Sequence, residues 1–326
     1  MNFRKVTILV FAVCLFSITV NAQVKIKDTT LIYFADPCIY SFNGTYYLYG
    51  TTEENANNGF VTYTSADLLN WKKSTVQNGY ALMKSNAFGK SQFWAPQVFR
   101  FADTFYMAYA ANEQIAIAKS IHPAGPFVQK NIAPLSAPVK QIDPFVFVDN
   151  DGKKYLYHVR LTNGNRIFVA EMEDDFSAIK PSTLKECITA TEPWENTAGS
   201  SWSVTEGPSV FKHKGVYYLF YTANDYRNPD YAVGYATSTS PYGPWKKQES
   251  SPVITRKLLG VNGTGHGDFF RDAQNHLLYV FHTHFSAEHA GPRKTAVIRF
   301  RFVKDRKTKV DKVVAEKETF YFLKKQ

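Results

Sequence analysis

Disulfide chemistry has little to work with in this chain. It holds three cysteines in 326 residues, and Cys14 lies inside an N-terminal apolar run. The other two, Cys38 and Cys187, are too few for the disulfide framework of a small secreted scaffold, although a bond between them stays open. Apolar runs of membrane-spanning length are missing as well. The run from Val6 to Val20 has 15 residues, against the roughly 20 that a span requires. There is no sustained 3.6-residue apolar period, which excludes a helical bundle. Eighteen Gly and 15 Pro without a short period exclude collagen-like sequence, and a 44% hydrophobic content excludes disorder. Acidic residues are outnumbered, 28 against 38 basic, for a net charge of +10. Such a surplus can mark an anionic partner such as nucleic acid, lipid or a pectin-like polysaccharide. Here many cations fall between Arg293 and Lys325, in a strand-like segment. Solubility accounts for them, and no nucleic-acid partner is expected.

What is present at the N-terminus is a leader. Arg4 and Lys5 precede the apolar run, and Val20-Asn21-Ala22 places small residues at −3 and −1. This pattern predicts a cleavable signal peptide over residues 1–22 and an exported chain, periplasmic or secreted, over 23–326. No lipobox-like residues precede Cys14, so a lipid anchor is not expected. Cleavage leaves 304 residues with a net charge of +8.

Aromatics are abundant, with 20 Tyr and 26 Phe, which favours β-structure. They recur in a phrase: a head residue, often before Pro, an apolar strand, an Asn, Asp or Gly turn, then a strand opening on Tyr. The copies begin at Asp36-Pro37, Ala95-Pro96, Asp143-Pro144, Glu206-Gly207-Pro208 and His266-Gly267. Their shared tyrosines, Tyr47, Tyr106, Tyr155, Tyr218 and Tyr279, lie 59, 49, 63 and 61 residues apart. Each phrase reads as a hairpin, and a third strand follows it: FVTYTS, IAIAKS, RIFVAEM, YAVGYATS and TAVIRFRFV. A small antiparallel sheet repeated five times cannot bury its faces alone, whereas copies stacked around an axis can. The expectation is an all-β chain folded as a single five-bladed β-propeller. Segments 50–60, 74–92, 185–204 and 223–230 are expected as loops, and 295–326 as the strands that close the ring.

In a propeller the heads of the innermost strands converge at one mouth of the channel. Asp36, Asp143 and Glu206 are therefore expected to meet, at equivalent positions of three repeats. Carboxylates held that close raise one another's pKa, which is the condition a general acid needs. A sugar bound there also needs flat apolar faces. Trp94 and Phe34 flank channel positions and are candidates, with propeller core as the alternative, and Trp202 lies near the mouth. His282 and His284 share a strand face, but without a third ligand no zinc site is expected. The DNDG turn at 149–152 reads as a hairpin rather than a calcium loop.

The motifs Phe34-Ala35-Asp36-Pro37, Phe93-Trp94-Ala95-Pro96, Ile142-Asp143-Pro144-Phe145, Thr205-Glu206-Gly207-Pro208 and Gly265-His266-Gly267 resemble, in order and spacing, those of glycoside hydrolase family 43. The resemblance runs from about residue 31 to about residue 300. It implies a five-bladed propeller and an inverting glycosidase. It assigns Asp36 as the base that activates water and Glu206 as the acid on the leaving oxygen. Asp143 becomes the carboxylate that raises and orients that acid, and Arg293 a substrate contact. It places His266 near a channel centre where some members hold calcium, so a metal contact there stands beside a structural role. No cofactor is required. The expected substrate is a plant-type polysaccharide or oligosaccharide losing pentose, most simply α-L-arabinofuranosyl units, from a monomeric enzyme without a further C-terminal sandwich. β-D-Xylosidase, exo-galactanase and a non-catalytic glycan-binding propeller are the alternatives.

Overall fold

The computed structural model describes residues 28–53 and 56–326; the expected leader over 1–22 lies outside them. Five antiparallel sheets follow one another along the chain. Their innermost strands are Ala35–Phe42, Trp94–Phe101, Gln141–Val148, Thr205–His213 and Gly265–Arg271. Each of these touches the innermost strand of the blade before and the blade after, so the ring closes into a five-bladed propeller. Blades 3, 4 and 5 have four strands, while the fourth strand of blade 2 is reduced to a bridge between Lys119 and Val128. The longest helix among the described residues is one turn, Arg256–Leu259, capped by the Thr255 hydroxyl and Gly260. None is long and apolar enough to cross a membrane.

The repeated aromatics explain why the blades stack. The core divides into five apolar clusters, one at each seam. The seam between blades 4 and 5 shows the pattern: Phe220 from one blade lies 4.6 Å edge-on to Phe269 of the next. Four of the five shared tyrosines fall below 8% exposure and Tyr106 sits at 8%, so the repeated phrase is the packing unit itself. Cys38 lies in the seam of blades 1 and 2 and Cys187 against that of blades 3 and 4, so the two thiols stay free.

Closure uses the C-terminus. Lys324–Lys325 pairs in parallel with Asn70–Lys73, the outer strand of blade 1. The Thr295 hydroxyl of blade 5 accepts from Phe34 N at 2.9 Å and donates to Phe34 O at 3.1 Å.

Three segments differ from expectation: FVTYTS, 74–92 and 185–204. FVTYTS is not one strand, because buried Thr62 breaks it: its N–H bonds Gly79 O and its hydroxyl bonds Leu48 O. Gly59–Val61 therefore pairs with Tyr80–Met83 in a separate ribbon, and Tyr63–Ser65 stays in blade 1. The segment 185–204 is not all loop either, since Lys185–Ile188 forms the fourth strand of blade 3.

Candidate active site

Every innermost strand opens with a bulge. The ladder slips between Ala35 and Cys38, Trp94 and Gln97, Ile142 and Phe145, Glu206 and Ser209, and Gly265 and Gly267. The bulged residue takes a left-handed backbone: Asp36 at φ 48°, Ala95 at 46°, Asp143 at 54°, Gly207 at 57° and His266 at 44°. A bulge re-aims a side chain, and here it turns each one into the channel. For residues with a Cβ this conformation costs about 1–2 kcal/mol, which marks a position maintained against local preference. The equivalent of Asp36 and Asp143 in blade 4 is thus Gly207, not Glu206. The expectation that all three acids share one position is corrected by this one-residue offset. Glu206 instead matches Ala35, Trp94, Ile142 and Gly265, one step nearer the mouth. Of these, Trp94, Ile142 and Glu206 line a cavity of about 570 Å³. Gly207 is required where it stands, because a Cβ there would lie 2.8 Å from the His266 ring.

Asp36 is held as a carboxylate. Its Oδ2 accepts from Thr51 Oγ1 at 2.8 Å, and its Oδ1 lies 3.3 Å from Arg293 Nη1 and 3.3 Å from His266 Nδ1. Burial alone would raise its pKa, but the Arg293 guanidinium, His266 and the Thr51 bond together hold it below the ordinary value. Burial lowers the pKa of His266. Arg293 is fixed from behind, with Nε 2.5 Å from Glu53 Oε1, N 3.0 Å from Glu53 Oε2, and its guanidinium 4.7 Å from the centre of the Tyr226 ring.

Glu206 has the opposite character. Burial pushes it up to about 7; the charges of Asp36 and Asp225 add to the rise, while hydrogen bonds from Tyr231 and Asn165 oppose it. Tyr231 OH donates to Oε1 at 2.7 Å and Asn165 Nδ2 to Oε2 at 2.9 Å. Asp143 is pushed well above the carboxylate range by burial, then by the charges of Glu206 and Asp36. Its Oδ2 accepts from Gly207 N at 3.1 Å, so it grips the backbone that carries the acid. The site therefore holds one ionised carboxylate and a coupled pair that keeps a proton near neutrality.

The cavity brings together Asp36, Asp143, Glu206, Trp94, Trp202, His266 and Arg293. Trp202 is 48% exposed and donates its indole N–H to Asn165 Oδ1 at 2.9 Å. Phe34 is the exception. It is 3% exposed, lies edge-on to Tyr63 and packs in the seam of blades 5 and 1. The Thr295 bonds to its backbone fix it there, so it is core and not a stacking face. Beneath His266 the space is only about 20 Å³, room for about one water, and both ends of the Gln97 amide are spent on Val146. Among the described residues no group of three or more His, Cys, Asp or Glu is arranged to hold a metal.

A second layer escaped the reading of the sequence. At three of the five seams the residue that pairs opposite the bulge in one blade caps the bulged N–H of the next. Thr51 Oγ1 accepts from Ala95 N at 3.0 Å, Thr222 Oγ1 from His266 N at 2.8 Å, and His282 Nδ1 from Asp36 N at 3.1 Å. The signal was present, since Thr51 and Thr222 each lie four residues past the shared tyrosine. Blade 5 conceals it, because its partner strand lacks one residue and His282 comes three past Tyr279. His282 spends its Nδ1 on the Asp36 N–H. It is fully buried, and burial drives its pKa well down. His284 turns away to Tyr226 O, 2.7 Å from its Nε2.

Comparison with known proteins agrees with this geometry. The family model described as glycosyl hydrolases family 43 matches residues 30–307. A β-D-galactofuranosidase of Aspergillus niger is 26% identical over 82% of this chain and 78% of its own length. A xylosidase/arabinosidase of Humicola insolens is 28% identical over 66% of this chain and 79% of its own. The solved structure of an endo-1,4-β-xylanase from Bacteroides thetaiotaomicron superposes with a TM-score of 0.82 at 40% identity, covering 91% of this chain and 98% of that one. With the family model spanning all five bulged strands, this chain belongs to glycosyl hydrolase family 43.

Proposed function

We propose that this protein is an exported, inverting glycosidase that removes terminal pentose units, with α-L-arabinofuranosyl the favoured unit, from plant-type polysaccharide or oligosaccharide. One observation carries the reading: two carboxylates on one cavity, from non-adjacent blades, are biased to opposite protonation states. Asp36, kept ionised by Arg293, takes a proton from water as it attacks the anomeric carbon. Glu206, protonated near neutrality, gives its proton to the leaving oxygen. Asp143 positions the acid through Gly207. Inversion needs room for water between base and acid, and the place of Asp36 and Glu206 on one cavity, from non-adjacent blades, supports it. Arg293, braced by Glu53 and Tyr226, forms a polar wall that supports a closed end and hence exo action. Relatives named for arabinosidase or arabinofuranohydrolase activity support the choice of sugar, as an extracellular arabinanase of Bacillus subtilis supports export. The solved neighbour named for xylanase activity favours xylosides as the second reading.

The test is hydrolysis of nitrophenyl α-L-arabinofuranoside and β-D-xyloside by the wild type, Asp36→Asn and Glu206→Gln, with NMR of the first anomer released. Activity in the wild type, loss in Asp36→Asn and an inverted product support the reading. A wild type inert on both pentosides and on arabinan, yet able to bind oligosaccharide, overturns it in favour of a glycan-binding propeller.

A further inference from the structure

The far ends of the innermost strands hold a cavity unlike the catalytic mouth. It measures about 300 Å³, within the range of small-ligand sites, and opens at the seam of blades 4 and 5. Phe211, His213, Phe269, Arg271 and Phe302 line it. His213 and Arg271 end their strands six and five residues past the bulges at Gly207 and His266. Roughly 15–20 Å of extended chain therefore separates this cavity from the acids. Its floor is aromatic. Phe211, Phe269 and Phe302 are only half-buried, although all three belong to the packed seam. Phe211 stands edge-on to Phe269 at 4.8 Å and to Phe302 at 5.8 Å, and the His213 ring lies flat on Phe302 at 3.7 Å. The rings brace one another, so the floor is pre-formed and loses little ordering entropy on binding.

The rim is cationic. Lys212 on the wall is spent on Asp149 at 2.8 Å. Arg271 is exposed, donates one N–H to Asn275 O at 2.8 Å and makes no ion pair among the described residues. Beside the cavity runs the loop 304–311, tied to its wall by His213 Nε2, 3.0 Å from Asp311 Oδ2. Both acids of that loop are neutralised from outside it, Asp311 by Lys214 at 2.8 Å and Asp305 by Lys312 at 3.2 Å. Lys304, Arg306, Lys307 and Lys309 are thus left exposed, with no carboxylate partner among the described residues. Part of the basic surplus read in the sequence as serving solubility is therefore gathered beside an aromatic floor. Aromatic faces accept the apolar face of a sugar ring, and a guanidinium accepts a carboxylate through two parallel hydrogen bonds. A sugar that carries a carboxylate uses both. The rings are recessed in a concavity, whereas a lipid surface calls for apolar side chains that protrude.

We propose that this cavity, with Arg271 and the loop 304–311, is a second carbohydrate site that binds uronate-bearing polysaccharide and tethers the enzyme to acidic chains from the face opposite the catalytic mouth. The experiment is calorimetric titration of Asp36→Asn, which consumes nothing, with oligogalacturonate of about five units and with a neutral arabino-oligosaccharide of the same length. Oligogalacturonate should bind, and more weakly as salt rises. Adding Arg271→Glu should weaken that binding about tenfold or more. Arg271→Lys, which keeps the charge and loses the fork, should weaken it less. Neither change should alter binding of the neutral chain, and Arg271→Glu alone should leave nitrophenyl pentoside hydrolysis as it is in the wild type. Oligogalacturonate that does not bind, or that binds Arg271→Glu equally well, overturns the proposal, as does an equal loss for the neutral chain. Arg271-dependent binding to vesicles of phosphatidylglycerol and phosphatidylcholine, without binding of oligogalacturonate, overturns it in favour of a membrane contact. Arg271-dependent uronate binding by a protein inert on every pentoside upholds this site and sinks only the catalytic reading.

Discussion

The heads of blade 1 and blade 4 are built from the same bulge and end with opposite electrostatics. In blade 1 the acid occupies the bulge itself, reaches the channel and meets Arg293 and Thr51. In blade 4 glycine occupies the bulge and the acid stands one residue earlier, against Tyr231 and Asn165, with no cation among the described residues paired to it. Both carboxyls are buried. On the proposed reading, what separates the base from the acid is a shift of one residue, which decides whether a guanidinium or two neutral donors greet the carboxyl.

The comparison breaks most visibly at the two acids. Asp36→Asn should lower kcat by about 10³–10⁴-fold on natural and nitrophenyl substrates alike, since water must be activated for both. Glu206→Gln should match that loss on oligosaccharides but lose only about tenfold on nitrophenyl glycosides, whose leaving group needs no proton. Equal losses on both substrates for both variants would erase the division of labour.

Gly207→Ala tests why blade 4 is offset. Beyond a backbone cost of about 1–2 kcal/mol, its Cβ meets the His266 ring, so kcat should fall tenfold or more. Gly152 also has a left-handed φ, of 83°, but open space around it. Gly152→Ala should carry the backbone cost alone and leave kcat unchanged.

The two limbs of the pH profile sharpen the contrast. The wild type should lose kcat/KM above about pH 7, where Glu206 ionises. Tyr231→Phe removes a bond that favours the charged acid, so the upper limb should move up by about half a unit to one unit. Thr51→Val weakens the hold on the Asp36 carboxylate, and the lower limb should move up instead.

The smallest effect is on stability. The folded-state pKa of Glu206 is raised from 4.5 to about 7. Its contribution to stability is therefore complete below pH 4.5 and is lost as pH rises through 7. Glu206→Gln should melt a few degrees above the wild type at pH 8 and no higher at pH 4.

The repeat made the five blades legible, because each seam is packed by the same tyrosine phrase. The convergence of the carboxylate trio could be read from its place in the repeat, whereas Arg293 was singled out only by the family resemblance. The offset of Glu206 could not be seen, because a bulge changes which residue faces the channel without changing the order of letters. Phe34 misled for a related reason: adjacency to a channel residue says nothing about side-chain direction when the backbone there is left-handed. Tyr231, Asn165 and Glu53 were not singled out: Asn165 opens the third strand of blade 3, Tyr231 stands at the head of that of blade 4 and Glu53 follows a strand of blade 1, all beyond the repeated hairpin.

The seam between the first and last blades has a consequence for biosynthesis. Asp36 is among the earliest of these residues to leave the ribosome, while its partners His266, His282 and Arg293 emerge some 230 residues later or more. Until the final strands dock beside Asn70–Lys73 the acid faces water with an ordinary affinity for protons. The surroundings of Asp36 are thus complete only once the last blade has closed against the first.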